Sequence, residues 1–229
     1  MKYYTPYLLF PVFLVFLDGA LFPQTTAPNP ESAAAWQSYY IGRSLESQNR
    51  LEDAMPYYGE AARICLDEID QNRASENSYV VLTWALQRQR RYAEVITWGE
   101  QGLRHNAGNH RLLEIMGEAY FYLDDYDRSL RCMERYSSAV SQGDRLPTAY
   151  FFIGEIFRLR KKFLHADIAY TTAVRLEPNV PLWWYRLGLV RESLKEYALA
   201  AEAYERALRI NPAYQDAQAA LGRTRRARN

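Results

Sequence analysis

Apolar and small residues recur along this chain at a constant offset of 34 residues. The offset is clearest in three pairs: Ile153-Gly154, Leu187-Gly188 and Leu221-Gly222. It also links Phe163 to Tyr197, Ala166 to Ala200, Tyr170 to Tyr204, Ala173 to Ala207 and Pro178 to Pro212. These matches predict a chain of repeated units, each too small to bury an apolar face alone and therefore stacked on its neighbours.

The repeated positions resemble the tetratricopeptide repeat family, whose pattern is W-x2-L-G-x2-Y, followed by A-x3-F and a closing proline. Residues 181–214 carry this pattern through Trp184, Leu187, Gly188, Tyr197, Ala200, Tyr204, Ala207 and Pro212. Four more units are expected at 35–68, 76–109, 110–143 and 147–180. The resemblance implies five antiparallel helix hairpins that stack into an all-α, right-handed α-solenoid. Residues 215–229 would add a C-terminal capping helix with a basic tail.

Three of the units depart from the family pattern. The first is followed by a seven-residue extension, Ile69 to Ser75. In the second, Thr83 replaces the glycine of repeat position 8, counted from the first residue of the unit, while Gly99 and Gly102 occupy packing positions of the second helix. The third lacks the closing proline and is followed by three extra residues, Asp144 to Leu146. We therefore expect longer connections after the first and third units.

The amino-terminal segment differs from the repeats. Lys2 precedes an apolar run from Leu8 to Leu17, which only Pro11 interrupts and Asp18 ends. Such a run matches the hydrophobic region of an export signal and is shorter than the roughly 20 residues that span a bilayer as a helix. We predict a signal peptide over residues 1–22, with an uncleaved membrane anchor as the alternative, and a linker and helix start over 23–34. The expected location is periplasmic or otherwise exported, or the inner membrane if the segment is retained.

Composition and residue spacing argue against several kinds of partner and of functional site. The charges balance at 28 Lys+Arg against 27 Asp+Glu, which argues against a protein built mainly to bind nucleic acid. His105, His110 and His165 have no second metal ligand at helical spacing. Cys65 and Cys132 fall in helices expected to lie too far apart for a disulfide. We therefore predict no metal, no cofactor and no catalytic site.

In the tetratricopeptide repeat family, positions 2, 5, 9 and 12 of each unit point into a concave groove. The resemblance thus implies a partner-binding face of aromatic and charged residues: Trp36, Tyr39, Arg43, Trp84, Glu118, Phe121, Phe151, Glu155, Arg158 and Tyr185. The same positions also hold Asn77, Arg111, Glu114 and Glu192. Aromatic and arginine side chains are the types that dominate the energetics of protein interfaces.

These residues favour a non-enzymatic adaptor or scaffold that binds a protein or peptide partner in the groove. The groove lacks the Lys/Asn set with which some family members hold the carboxylate terminus of chaperones. Two alternatives stay open at this point. One is a self-assembling oligomerisation module, in which terminal units dock into a neighbour's groove. The other is an accessory protein in the capture or transport of small solutes.

Overall fold

The computed structural model describes residues 30–143 and 145–228. The predicted signal peptide and most of the predicted linker, residues 1–29, lie outside the described residues. Within the described ranges all the regular structure is helical. The eleven helices of this part are α1 (Pro30–Ser47), α2 (Leu51–Asp70), α3 (Glu76–Arg88), α4 (Tyr92–His105), α5 (His110–Tyr122), α6 (Tyr126–Ala139), α7 (Leu146–Leu159), α8 (Phe163–Leu176), α9 (Pro181–Ser193), α10 (Tyr197–Ile210) and α11 (Gln215–Arg228).

The helices form five hairpins that stack in chain order. Each helix packs against the next one along the chain, and α11 packs against α10 at the carboxyl end. First helices of neighbouring hairpins also lie side by side, where α1 meets α3, α3 meets α5 and α5 meets α7. This architecture confirms the predicted all-α solenoid.

The helix bounds can be compared with the units expected from the sequence. Helices α3, α5 and α9 begin at Glu76, His110 and Pro181, the first residues of the expected second, third and fifth units. Helix α2 continues to Asp70, two residues beyond the expected end of the first unit. Helix α7 begins at Leu146, one residue before the expected start of the fourth.

All five hairpins turn through the same motif. A residue with positive φ follows the first helix, and the next backbone N–H donates to the carbonyl five residues earlier, which is the pattern of a Schellman turn. In the fourth hairpin, Lys161 has a φ of 57°, and the N–H of Lys162 lies 2.8 Å from the carbonyl oxygen of Phe157. None of the residues in this left-handed position is glycine: they are Asn49, Arg90, Asp124, Lys161 and Lys195.

A glycine at repeat position 8 lets the two helices of a hairpin approach closely. In the fourth unit, a β-carbon added to Gly154 would stand 2.7 Å from the ring of Tyr170, which occupies position 24. The second unit departs from this pairing within the hairpin. Thr83 takes position 8, and Gly99 at position 24 leaves room for the side chain of Met116 from the next unit.

Repeat positions 3 and 10 are buried in the second to fifth units, because a preceding hairpin covers them. In α1, where no described hairpin precedes, these positions are the exposed residues Gln37 and Ser44. In α11 the tenth residue is Thr224, which is fully buried, and its Oγ1 has no hydrogen-bond partner. Among the described helices, α1 therefore presents polar side chains at these two positions, and α11 has a polar side chain at a position that is apolar in most of the other units.

Candidate functional site

The first helices of the hairpins form one continuous face of the solenoid. We call this face the groove and define it by α1, α3, α5, α7, α9 and α11. Hydrogen bonds cross it between consecutive first helices: Arg88 to Glu46 at 3.3 Å, Gln87 to Glu118 at 2.9 Å and Arg111 to Asn77 at 3.2 Å. These bonds fix the lateral spacing of the helices that line the groove.

Four aromatic rings cluster where α1 meets α3. The ring of Trp36 stacks on Tyr40 at a centroid distance of 5.4 Å and meets Trp84 edge-on at 5.5 Å. Tyr39 lies 5.7 Å from Trp84 and is buried beneath the cluster, whereas Tyr40 leaves 46% of its surface exposed. Stacked and edge-to-face contacts between aromatic rings are favourable, so the cluster holds its exposed aromatic surface in place.

In three units, a tyrosine of the second helix donates its hydroxyl hydrogen bond to a carboxylate on the groove side of the first helix. These pairs are Tyr58 with Glu46 at 2.6 Å, Tyr204 with Glu192 at 2.8 Å, and Tyr170 with Glu155. An arginine from the following first helix pairs with the same carboxylate: Arg88 with Glu46, Arg186 with Glu155 and Arg223 with Glu192. Burial, and after it the neighbouring carboxylate, raises the pKa of each phenol above its ordinary value. The repeated Tyr–Glu–Arg arrangement ties the first, fourth and fifth units to the first helix that follows each of them.

The third unit lacks this arrangement, because Met133 occupies position 24 and carries no hydroxyl. Two buried carboxylates on α5, Glu114 and Glu118, bind Arg145 instead, the residue that precedes α7. Arg145 Nη2 donates to Glu114 Oε1 at 2.7 Å and also to Glu118. Burial raises the pKa of the Glu114 carboxyl above its ordinary value, although the charge of Arg145 opposes this shift.

A depression of about 490 Å³ lies at the carboxyl-terminal end of the groove, among α7, α9 and α11. Its charged lining residues are Arg158, Lys161, Glu192 and Arg223, and its remaining lining residues are Leu159, Phe163, Leu189 and Ser193. Cationic groups outnumber the anionic one in this lining. The amino-terminal part of the groove, by contrast, is dominated by rings and by the buried acids of α5.

The tetratricopeptide repeat family matches residues 181–214, which form α9 and α10 and the turn between them. The other four hairpins repeat the same turn and the same stacking. This chain is a tetratricopeptide repeat protein. The resemblance predicted from the sequence is thereby confirmed.

Solved structures share the fold of this tetratricopeptide repeat protein. A crystal structure of MamA protein aligns with a TM-score of 0.61 and 20% identity, over 67% of this chain and 82% of that chain. MamA 41-end from Desulfovibrio magneticus RS-1 aligns with a TM-score of 0.58 and 18% identity, over 82% of this chain and 99% of that chain. YrrB, described as a TPR protein with an unusual peptide-binding site, aligns with a TM-score of 0.56 and 19% identity, over 85% and 98%. No curated protein matches the sequence.

The ten residues expected to bind a partner differ in their accessibility. Tyr39 is buried in the ring cluster, Glu118 under Arg145, and Glu155 beside the hydroxyl of Tyr170. A helix position specifies the face on which a side chain lies, but neighbouring side chains then cover these three. The other seven are partly exposed: Trp36, Arg43, Trp84, Phe121, Phe151, Arg158 and Tyr185. Their role in binding a partner stays a prediction.

The structure brings several of these residues together in two groups. Trp36 and Trp84 share the ring cluster at the amino-terminal end of the groove. Phe121 and Phe151 both contact the ring of Phe152, at centroid distances of 5.0 and 5.9 Å. Aromatic side chains thus occur along the groove in separate patches rather than in one continuous line.

Sequence reasoning missed four residues of the groove: Tyr40, Glu46, Arg88 and Arg145. Glu46 had a detectable signal, because it shares repeat position 12 with Glu192, and both units have glycine at position 8 and tyrosine at position 24. Arg145 had none, because it lies among the extra residues that follow the third unit and has no equivalent in the other units.

The histidines and cysteines lie in packed surroundings. Each histidine neighbours an aromatic ring, with centroid distances of 5.2 Å for His105 and Tyr79, 6.3 Å for His110 and Tyr136, and 5.1 Å for His165 and Phe157. Cys65 and Cys132 are both free thiols and both buried. Across residues 30–143 and 145–228, no group of three His, Cys, Asp or Glu side chains is arranged to hold a metal ion.

Proposed function

We propose that this protein is a non-enzymatic adaptor that binds a peptide, or an extended segment of a partner protein, in the groove. The observation that carries this proposal is the ring cluster, in which Trp36, Tyr40 and Trp84 present partly exposed aromatic surface on the face lined by first helices. Aromatic rings of this kind supply large contact area at small cost in conformational entropy.

The charged side chains of the groove support an adaptor more than an enzyme. Glu46, Glu155 and Glu192 each accept a hydrogen bond from a phenol and pair with an arginine. A general base or nucleophile must be within reach of a substrate atom, whereas these carboxylates are occupied in holding units together. YrrB, which has the same fold, is described as having an unusual peptide-binding site, and a peptide is the ligand that we propose for this groove.

Selection of peptides from a displayed library for binding to the purified protein tests the proposal. Selected peptides should bind the wild type and lose most of their affinity for Tyr40→Ala, because Tyr40 is the most exposed ring of the cluster. Tyr57→Ala is the matched control, since Tyr57 is exposed to a similar degree but lies on the second helix α2, outside the groove. Equal loss of affinity in both variants, or no selected peptide at all, would refute a groove-binding adaptor.

We also propose that the protein acts in the bacterial cell envelope. This part of the proposal rests on the signal-like segment at residues 1–22. Among the described helices, none combines the length and the apolar character needed to cross a membrane. Cell fractionation with amino-terminal sequencing of the mature protein tests the location. A chain that keeps Met1 and stays in the cytoplasm would overturn both the signal peptide and the membrane anchor.

The two other functions expected from the sequence have less support. Self-assembly through the exposed end of α1 would have to cover the polar side chains of Gln37 and Ser44, which disfavours it. Sedimentation velocity across micromolar concentrations tests this, and a single monomer peak would exclude it. Capture of a small solute would use the depression near Arg158 and Arg223. A small anion that raises the melting temperature would favour this role.

A further inference from the structure

The carboxylates of the third unit differ from those of the other units. Glu114 occupies repeat position 5, where the first, second, fourth and fifth units have the uncharged residues Tyr39, Val80, Phe151 and Tyr185. Burying a second carboxylate beside Glu118 costs free energy, and no packing requirement of the repeat explains it. The hydroxyl that donates a hydrogen bond to the groove carboxylate in the first, fourth and fifth units is absent, because Met133 replaces the tyrosine. The third unit therefore contains an acidic pair that its own two helices do not satisfy.

A guanidinium group from outside the unit satisfies this pair. Arg145 Nε and Nη2 lie 3.0 and 2.7 Å from Glu114 Oε1, and Nη2 also contacts Glu118. The side chain of Arg145 is 27% exposed, whereas those of Glu114 and Glu118 are 4% and 10% exposed. The carboxylates thus form the floor of a site, and the guanidinium lies on its open side.

A further hydrogen-bond acceptor beside Glu114 and Glu118 receives no hydrogen bond. Gln87 on α3 donates through Nε2 to Glu118 Oε2 at 2.9 Å, while its own Oε1 is buried without a hydrogen-bond partner. Arg145 therefore leaves the acceptor of Gln87 unused. A guanidinium group has five N–H donors in a planar fork, which suits a set of three acceptors better than an ammonium group does.

We propose that Glu114 and Glu118 recognise the guanidinium group of an arginine in the bound peptide, and that Arg145 occupies this site in the free protein. The inference rests on the proposed function, because it names one side chain of the peptide that the groove binds. Buried carboxylates are costly without a cation, so the site stays closed by Arg145 until the ligand's arginine replaces it. The displaced Arg145 then turns to solvent, where its charge is hydrated.

Chemical rescue tests the site without any peptide. Arg145→Ala should lower the melting temperature, and L-argininamide should raise it again along a saturating curve. The matched control is Arg160→Ala, which removes another arginine bound across units, to the exposed Asp127, and should show no saturable response. The double variant Arg145→Ala/Glu118→Gln should lose the rescue. Absence of a saturable response in Arg145→Ala would overturn the proposal.

Peptide binding tests the same site in the wild-type protein, so the proposal stays testable even if Arg145→Ala does not fold. Replacing the arginine of a selected peptide by citrulline, its neutral isostere, should weaken binding about tenfold or more. Where Arg145→Ala folds, it should bind the arginine peptide more tightly than the wild type does. Peptides that bind the groove but tolerate citrulline would overturn the arginine site alone. Rescue by argininamide with no peptide bound by the wild type would overturn the adaptor function instead.

Discussion

The ring of Tyr58 lies so close to Gly42 that a β-carbon at residue 42 would stand 2.7 Å from Cε1 of the ring. Tyr58 is fully buried, and any shift of its ring would disturb its hydrogen bond to Glu46. We therefore expect Gly42→Ala to lower the free energy of unfolding by about 1–3 kcal/mol, the usual cost of overpacking. Urea unfolding followed by circular dichroism measures the change.

Gly59→Ala is the matched control for this substitution. Gly59 lies inside α2, and a β-carbon added there would meet no atom within 4 Å. Alanine should therefore stabilise the helix by about 0.5–1 kcal/mol, because glycine loses more backbone entropy on folding. If Gly42→Ala were also stabilising, close approach of the two helices would not be what requires the glycine.

The buried phenols should make the fold sensitive to alkaline pH. The pKa values of Tyr58, Tyr170 and Tyr204 are raised by burial and by their carboxylate partners. Above about pH 10 the unfolded chain releases phenol protons that the folded chain retains, so stability falls as the pH rises further. Below the unfolded pKa the contribution is fully present. Urea midpoints at about pH 8 and about pH 10.5 should therefore differ, and Tyr204→Phe should reduce the difference. An unchanged difference in that variant would contradict the assignment.

The hydroxyl of Thr224 should contribute nothing favourable to the stability of the capping helix. It is buried without a hydrogen-bond partner at a position that is Val190 in the fifth unit. Thr224→Val keeps the shape and removes the unpaired group, so we expect a gain of up to about 1 kcal/mol in the free energy of unfolding. Ser129→Ala provides the contrast, since Ser129 Oγ donates to the carbonyl of Gly117 at 2.7 Å. Ser129→Ala should lower the free energy of unfolding. If Thr224→Val lowered it as well, the hydroxyl of Thr224 would have a hydrogen-bond partner.

Both cysteines should resist thiol reagents while the protein is folded. Burial raises the pKa of Cys65 to about 12 and that of Cys132 above its ordinary value, and the reactive thiolate is therefore scarce. Ellman's reagent should react slowly with the native protein and with two thiols per chain in urea. Fast reaction of one thiol in the native state would show that the helices around it open easily.

A substitution in the hairpin turns should raise the free energy of unfolding. Lys161 adopts a left-handed conformation that a β-carbon disfavours and glycine tolerates. Lys161→Gly should raise the free energy of unfolding by about 0.5–1 kcal/mol, since the Schellman turn remains intact. The neighbouring Lys162 has a φ of −87°, so Lys162→Gly should bring no gain. Thermal unfolding of the two variants distinguishes a local backbone effect from the loss of a lysine charge.

The sequence was informative about the fold because its signals are local and repeated. Gly154 and Gly188 mark close helix contacts, and Pro178 and Pro212 follow second helices, each at the 34-residue offset. A helix pair has few ways to bury such a pattern, so the stacking follows from it. Thr83 and Gly99 were visible in the sequence as departures from the repeat pattern, but the contact between Gly99 and Met116 required the structure.

The candidate site was less predictable, because it depends on contacts between units. Repeat position placed Tyr39 and Glu118 on the groove, but Trp84 from the second unit and Arg145 from the connection after the third unit help to bury them. Arg145 reaches α5 from a connection whose extra residues have no counterpart in the repeat. No periodic pattern can locate a side chain whose position is set by the path of one irregular turn.

The number of helices that line the groove has a consequence for the length of ligand that they can contact. Six first helices, from α1 to α11, line the groove within residues 30–143 and 145–228. Five spacings of about 8–10 Å between packed helices give a length of roughly 40–50 Å. An extended chain rises about 3.3 Å per residue, so roughly 12–15 residues fill that length. The peptide proposed to bind here would therefore contact these six helices over about that number of residues.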